Sequence, residues 1–213
     1  MTISEIYRAL KNPPNLQQHM LRVAKVSLFI LNHWQGKPIH KELLIKAALL
    51  HDVGNIVKFN IKKYPHFLGE EQNRAQYWIA VQEEMIKKYG TDDHLTTKSM
   101  LNELGVADKI VNTIYSMSYW NAPAIKDSDD WVLKILLYSD LRVSPNGIIS
   151  IRERLDDLYS RLEKYKNRID LSNAGTEIEK QIQQNLNANI IDINDETTKT
   201  DENKLLKIQV ETK

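Results

Sequence analysis

The sequence predicts an all-α protein, and three observations carry that reading. Apolar residues between Leu16 and Leu31 recur at helical spacing, with Leu16, Met20, Val23, Ala24, Leu28 and Leu31 on one side. The run Leu43, Leu44, Ile45, Ala47, Ala48, Leu49 and Leu50 is long enough and rich enough in Ala and Leu to be a buried helix rather than a strand. Long β-rich alternation, a glycine-rich phosphate loop, a GxSxG elbow and an internal repeat are all missing from the sequence.

Taken in order, the first element is a short helix over Ser4 to Leu10. It stops ahead of Pro13 and Pro14, because the residue before a proline is pushed out of the α region. Asn15 opens the next helix, which carries His19 on or beside its inward face, and Gly36 with Pro38 breaks it. The helix over 44–51 follows and delivers His51 and Asp52 side by side at its end, with Gly54 beyond as a candidate positive-φ terminator. Residues 55–70 are basic and irregular, a loop over a site or a solvated surface.

Helices are then expected over 71–89, ended by Gly90, and over the stretch that starts at Thr91 and stops at Gly105. That second helix has acidic residues in its first turn, and His94 and Lys98 share a face. A helix over 106–119, a loop over 121–130, and a strongly apolar helix from Trp131 to Leu141 come next, the last interrupted by Asp140. VSPNG is a turn. An amphipathic helix over 151–169, a weaker one over 176–187 and a polar, mobile tail beyond Ile191 complete the expectation.

Composition narrows the function classes. Hydrophobic residues make up 42% and charged residues 27% of the 213, a soluble globular balance. A formal charge of +1 gives no electrostatic case for nucleic acid or an anionic membrane. Cysteine is absent, which removes disulfides and thiolate metal sites. With no signal-like apolar segment at the start and no run near 18 apolar residues, the expected location is cytoplasmic.

The His51-Asp52 pair is where chemistry enters. A buried carboxylate needs a cation or a metal to offset its desolvation. Neighbouring helical residues point about 100° apart, so both can reach one ion only where the helix ends and the backbone turns. A helix end with an imidazole on its dipole and an Asp cap is the plainer alternative.

His19, then His51-Asp52, then Asp140 form an ordered set of H, HD and D. Together with the local text HMLRVAKVSLFI, KAALLHDVGN and YSDLRVSP, the set resembles the HD-domain metal-dependent phosphohydrolase superfamily over roughly residues 15 to 145. The resemblance implies a helical bundle in which His19, His51, Asp52 and Asp140 hold one divalent cation, Mn, Fe, Co, Ni, Zn or Mg. It implies a small phosphorylated substrate such as a nucleotide, with Asp52 and His94 as catalytic candidates. Arg22, Lys58, Lys98 and Arg142 are the candidates for binding phosphoryl oxygens. An HD-type helical domain over 1–170, a C-terminal helical extension over 171–190 and a flexible tail over 191–213 follow as the expected organisation. The sequence departs from the family at Asn55, where many members have a lysine or an acid. The other functional reading is a non-catalytic, metal-stabilised domain that binds a nucleotide or a protein partner.

Overall fold

The computed structural model describes residues 1–165 and 167–213, and helix dominates among them. In chain order the helices are α1 Ile3–Ala9, α2 Pro14–Asn32, α3 Lys41–Leu50, α4 Ala75–Tyr89, α5 Asp93–Glu103, α6 Asp108–Ser116, α7 Ala122–Asp127, α8 Trp131–Leu141, α9 Ile151–Arg161, α10 Ile169–Gln183 and α11 Glu202–Leu206. Strands β1 Val143–Ser144 and β2 Gly147–Ile148 close the expected VSPNG turn as an antiparallel hairpin, with Val143 opposite Ile148. The all-α expectation is met. No helix among the described residues is long and apolar enough to cross a membrane.

Local chemistry explains the boundaries. Thr2 and Glu5 make a reciprocal capping box at the start of α1. Pro14 is the first residue of α2, where a missing N–H is no loss. Asp92, Asp130 and Ser150 cap α5, α8 and α9 with side-chain oxygens. Several boundaries differ from expectation, among them the start of α4 at Ala75 rather than 71 and the end of α6 at Ser116 rather than 119. Part of the expected 121–130 loop is helix α7, because Pro123 falls in its first turn, where proline is tolerated. The helix expected over 151–169 ends at Arg161, and its position 166 lies outside the described residues. The final long helix begins at Ile169 rather than 176.

The chain divides into two units by its internal packing. One comprises Met1–Leu21, Leu49–Tyr115 and Asp201–Lys213; the other comprises Arg22–Ala48 and Ser116–Thr200. In the first unit, Ile3, Ile6, Tyr7, Met20, Leu50, Val53, Ile56, Met100 and Leu101 are buried. In the second, α10 packs on α7, α8 and α9, and Ile135, Leu136, Leu137, Leu171, Ile178 and Ile182 are buried. Residues 171–190, anticipated as an extension, thus contribute a central helix to the second unit.

The end of the chain departs most from expectation. Composition suggested a mobile tail, yet residues 201–213 are stitched into the first unit. Ile3 N donates to Ile208 O at 3.1 Å, Val210 N to Met1 O at 2.8 Å, Ala107 N to Glu211 O at 3.1 Å and Lys213 N to Gly105 O at 2.7 Å. Leu205 and Val210 are buried. The polar residues mask two apolar anchors spaced widely enough to escape a composition test. Ending the chain at Thr200 should therefore lower Tm by about 5 °C or more, since each buried aliphatic side chain contributes about 1.5–3 kcal/mol. Thermal unfolding measures this, and an unchanged Tm would show the segment to be loosely held.

Candidate metal centre

Helix α3 stops at Leu50, and residues 51–54 turn inside the protein. A helix end leaves carbonyl groups without intrahelical donors, and each buried group left unmatched costs about 1–3 kcal/mol. Side chains from other elements supply the missing donors. The Tyr7 hydroxyl donates to Leu49 O at 2.6 Å, and Asn12 Nδ2 donates to Val53 O at 2.7 Å. Further along, Gln82 Nε2 donates to Ile56 O at 2.6 Å and Phe59 O at 2.7 Å. Burial pushes the Tyr7 hydroxyl far above its ordinary pKa, so it keeps the proton it donates.

Gly54 serves this turn differently from the sequence expectation. Its φ of −89° is ordinary, so no left-handed terminator is needed. What requires glycine is space: a Cβ would lie 2.5 Å from the Thr97 backbone nitrogen and 2.7 Å from Thr97 Oγ1. The close approach lets Gly54 N donate to Thr97 Oγ1 at 3.0 Å, which fixes α5 against the turn. Gly54→Ala should destabilise the protein by about 1–3 kcal/mol through overpacking. Urea unfolding reads this out, and an unchanged midpoint would mean that α5 moves aside freely.

The turn aims its two polar residues at His19 of α2. His19 Nε2 lies 3.5 Å from Asp52 Oδ2, and His51 Nε2 lies 3.7 Å from Asp52 Oδ1. The two imidazole rings are 5.3 Å apart, tilted by 54°. Each imidazole therefore faces a different oxygen of one carboxylate, at separations longer than an ordinary hydrogen bond. Ligand atoms that each sit about 2.0–2.2 Å from a common ion stand roughly this far from one another. The His51 side chain is only 1% exposed, while His19 and Asp52 are 19% and 23% exposed, which leaves one side open. Two imidazoles and a carboxylate are a nitrogen and oxygen set that suits a divalent first-row metal. The residues fit the ion that the sequence implied.

The other candidates fall as follows. Asp140 lies in the last turn of α8 in the second unit and is half-buried. His94 and Lys98 lie on α5, whose first turns pack on residues 55–58. Lys58 Nζ reaches Asp93 Oδ2 at 2.6 Å, tying the segment after the turn to the start of α5. Burial pushes the Asp93 carboxyl up, but Lys58 and His94 more than offset this and hold it below its ordinary pKa. His94 is exposed, and Lys98 Nζ sits 4.1 Å from the centre of the Tyr115 ring.

The two arginines belong to the second unit. Arg22 Nε lies 3.7 Å from Asp195 Oδ1, with Nη1 3.5 Å from Pro145 O. Arg142 requires a correction. Its side chain is buried, and its guanidinium donates to the Ile149 carbonyl, to the Tyr138 hydroxyl, to Ile190 O at 3.1 Å and to Ile193 O at 2.7 Å. Four of its five N–H donors are so engaged, three of them by backbone carbonyls, and the buried guanidinium serves the fold rather than a phosphate.

Tyr7, Asn12, Gln82 and Thr97, which position the turn, escaped the sequence reading. The signal available for them was a polar group embedded in a helical apolar pattern, which is too common to single them out.

The family model of the HD domain matches residues 16–200, most of the chain. The chain belongs to the HD-domain family. No curated protein and no solved structure matches it. HD domains bind divalent metals and are mostly phosphohydrolases, so at the level of the family this is a metal-dependent hydrolase fold. The matched residues of this HD domain include the turn at His51-Asp52 and both helices, α2 and α8, that carry the other expected ligands.

Proposed function

We propose that the protein is a metal-dependent phosphohydrolase acting on a small phosphoester, a nucleotide, with one divalent cation held by His19, His51 and Asp52. The observation that carries this reading is the convergence of both imidazoles on the two oxygens of Asp52, in a chain of the HD-domain family. A divalent ion in that set supplies Lewis acidity to a phosphoryl oxygen and acidifies a water toward neutrality.

The residues of the chain then do the rest. Asp52 orients the attacking water and takes up its proton. The water oxygen bonds to phosphorus, the ester P–O bond breaks, and the departing alkoxide takes a proton from His94. Lys58 stands on the segment that follows the turn and Lys98 on α5, which packs on that segment, and they are the cations offered to the non-bridging oxygens.

A second reading is favoured by one observation. Asn55 is buried at the position where many family members carry a lysine or an acid, which suits a domain that binds metal and nucleotide without turnover.

Turnover of a panel of phosphoesters with manganese, cobalt, nickel, zinc and magnesium separates the two. The hydrolase reading expects release of phosphate from a nucleotide with at least one metal. Asp52→Ala should lower the rate at least about a hundredfold while its circular dichroism stays helical. Bound metal with no turnover would favour the binding module, and full activity in the variant would reject the assignment of Asp52.

A further inference from the structure

Tyr64, His66 and Phe67 crowd together on the segment that follows the metal-site turn, and all three are exposed, Tyr64 by 36% and Phe67 by 49%. Their backbone is pinned. Tyr64 N donates to Asn60 O at 2.9 Å, Phe67 N donates to Tyr64 O at 3.1 Å, and the next residue, Leu68, is buried. In a 3-10 turn, residues three apart eclipse, so Tyr64 and Phe67 share one edge. Their ring centres are 5.5 Å apart, and His66 lies 4.5 Å from Phe67 and 6.0 Å from Tyr64. Lys63 Nζ, 4.9 Å from the Tyr64 ring centre, adds a cation at the edge of the cluster. Aromatic surface held in water by an anchored backbone is suited to stacking on a flat ligand.

The ligand is indicated by where the segment is fastened. Asn15 Nδ2 donates to Phe67 O at 2.7 Å. Asn15 and His19 are four residues apart on α2, on the same face and about 6 Å apart along the axis. The backbone that carries the cluster is thereby fastened to α2 one helical turn before a proposed metal ligand. In a nucleotide one ribose separates the phosphate from the base, a span of the same order.

We infer that Tyr64, His66 and Phe67 form a wall on which the base of a nucleotide stacks while its phosphate lies at His19, His51 and Asp52. This rests on the proposed metal centre. Stacking tolerates any base, because every base has a π-face, so the wall selects nucleotides over other phosphoesters without choosing among bases.

The test compares the four common ribonucleoside 5′-monophosphates with ribose 5-phosphate, the same ester without a base. Steady-state kinetics and titration calorimetry are run on the full chain and on the double variant Tyr64→Ala, Phe67→Ala. Both side chains are partly exposed and outside the core, and the variant should stay folded at the assay temperature, which thermal unfolding checks. The native protein should prefer all four nucleotides. The variant should raise KM or Kd for each of them at least about tenfold, with kcat and the response to ribose 5-phosphate unchanged.

Equal use of nucleotides and ribose 5-phosphate by the native protein would overturn the wall and leave the hydrolase intact. Retained nucleotide preference in the variant would overturn it too, as would loss of both substrate classes together. If the native protein, loaded with metal, hydrolyses none of them, these monoesters are not its substrates and calorimetry decides the wall. Nucleotide binding weakened in the variant supports it, and no binding by the native protein overturns it.

Discussion

The structure depends on satisfying a buried helix end. Helix α3 terminates inside the protein, and the turn after it exposes to the interior a series of backbone groups that water would otherwise solvate. Tyr7, Asn12, Gln82 and Thr97 take over that role, each from a different part of the first unit. Their hydrogen bonds hold the turn in one shape, and that shape places Asp52 between His19 and His51. If one donor is lost, the orphaned carbonyl must find water, and the turn loses the geometry on which the carboxylate position rests.

The same scaffold determines what surrounds the site. Thr97 sits against Gly54 because glycine leaves room, and this brings the start of α5, with His94 and Lys98, beside the turn. The Lys58 and Asp93 pair closes that corner. It is partly exposed and contributes modestly to stability, so its value is in orienting two segments more than in holding the fold. The docked end of the chain completes the first unit by bridging Thr2 to Gln209 and Val106 to Thr212.

Much of this was legible in the sequence. The helical period of α2 and the apolar runs of α3 and α8 are strong local signals, and His51-Asp52 stood out because two polar residues end an apolar helix. What stayed hidden was decided by tertiary packing. Arg142 reads as a phosphate ligand beside Asp140, but only the fold shows its guanidinium engaged by Ile190 and Ile193, far along the chain. Gly54 reads as a conformational terminator, but only the approach of Thr97 shows that volume is what matters. The end of the chain reads as disordered because Leu205 and Val210 are two anchors in a polar stretch, and no period reveals them. Asn15 reads as a helix opener, whereas its amide also fastens the Phe67 backbone.

The central claim is that His19, His51 and Asp52 converge to hold a metal ion, and its most direct test is equilibrium metal binding by the intact protein. Titration with manganese and zinc should give one ion per chain, and His51→Ala should abolish binding while the helical signal persists. Failure of the native protein to bind either ion, or undiminished binding by the variant, would contradict the account.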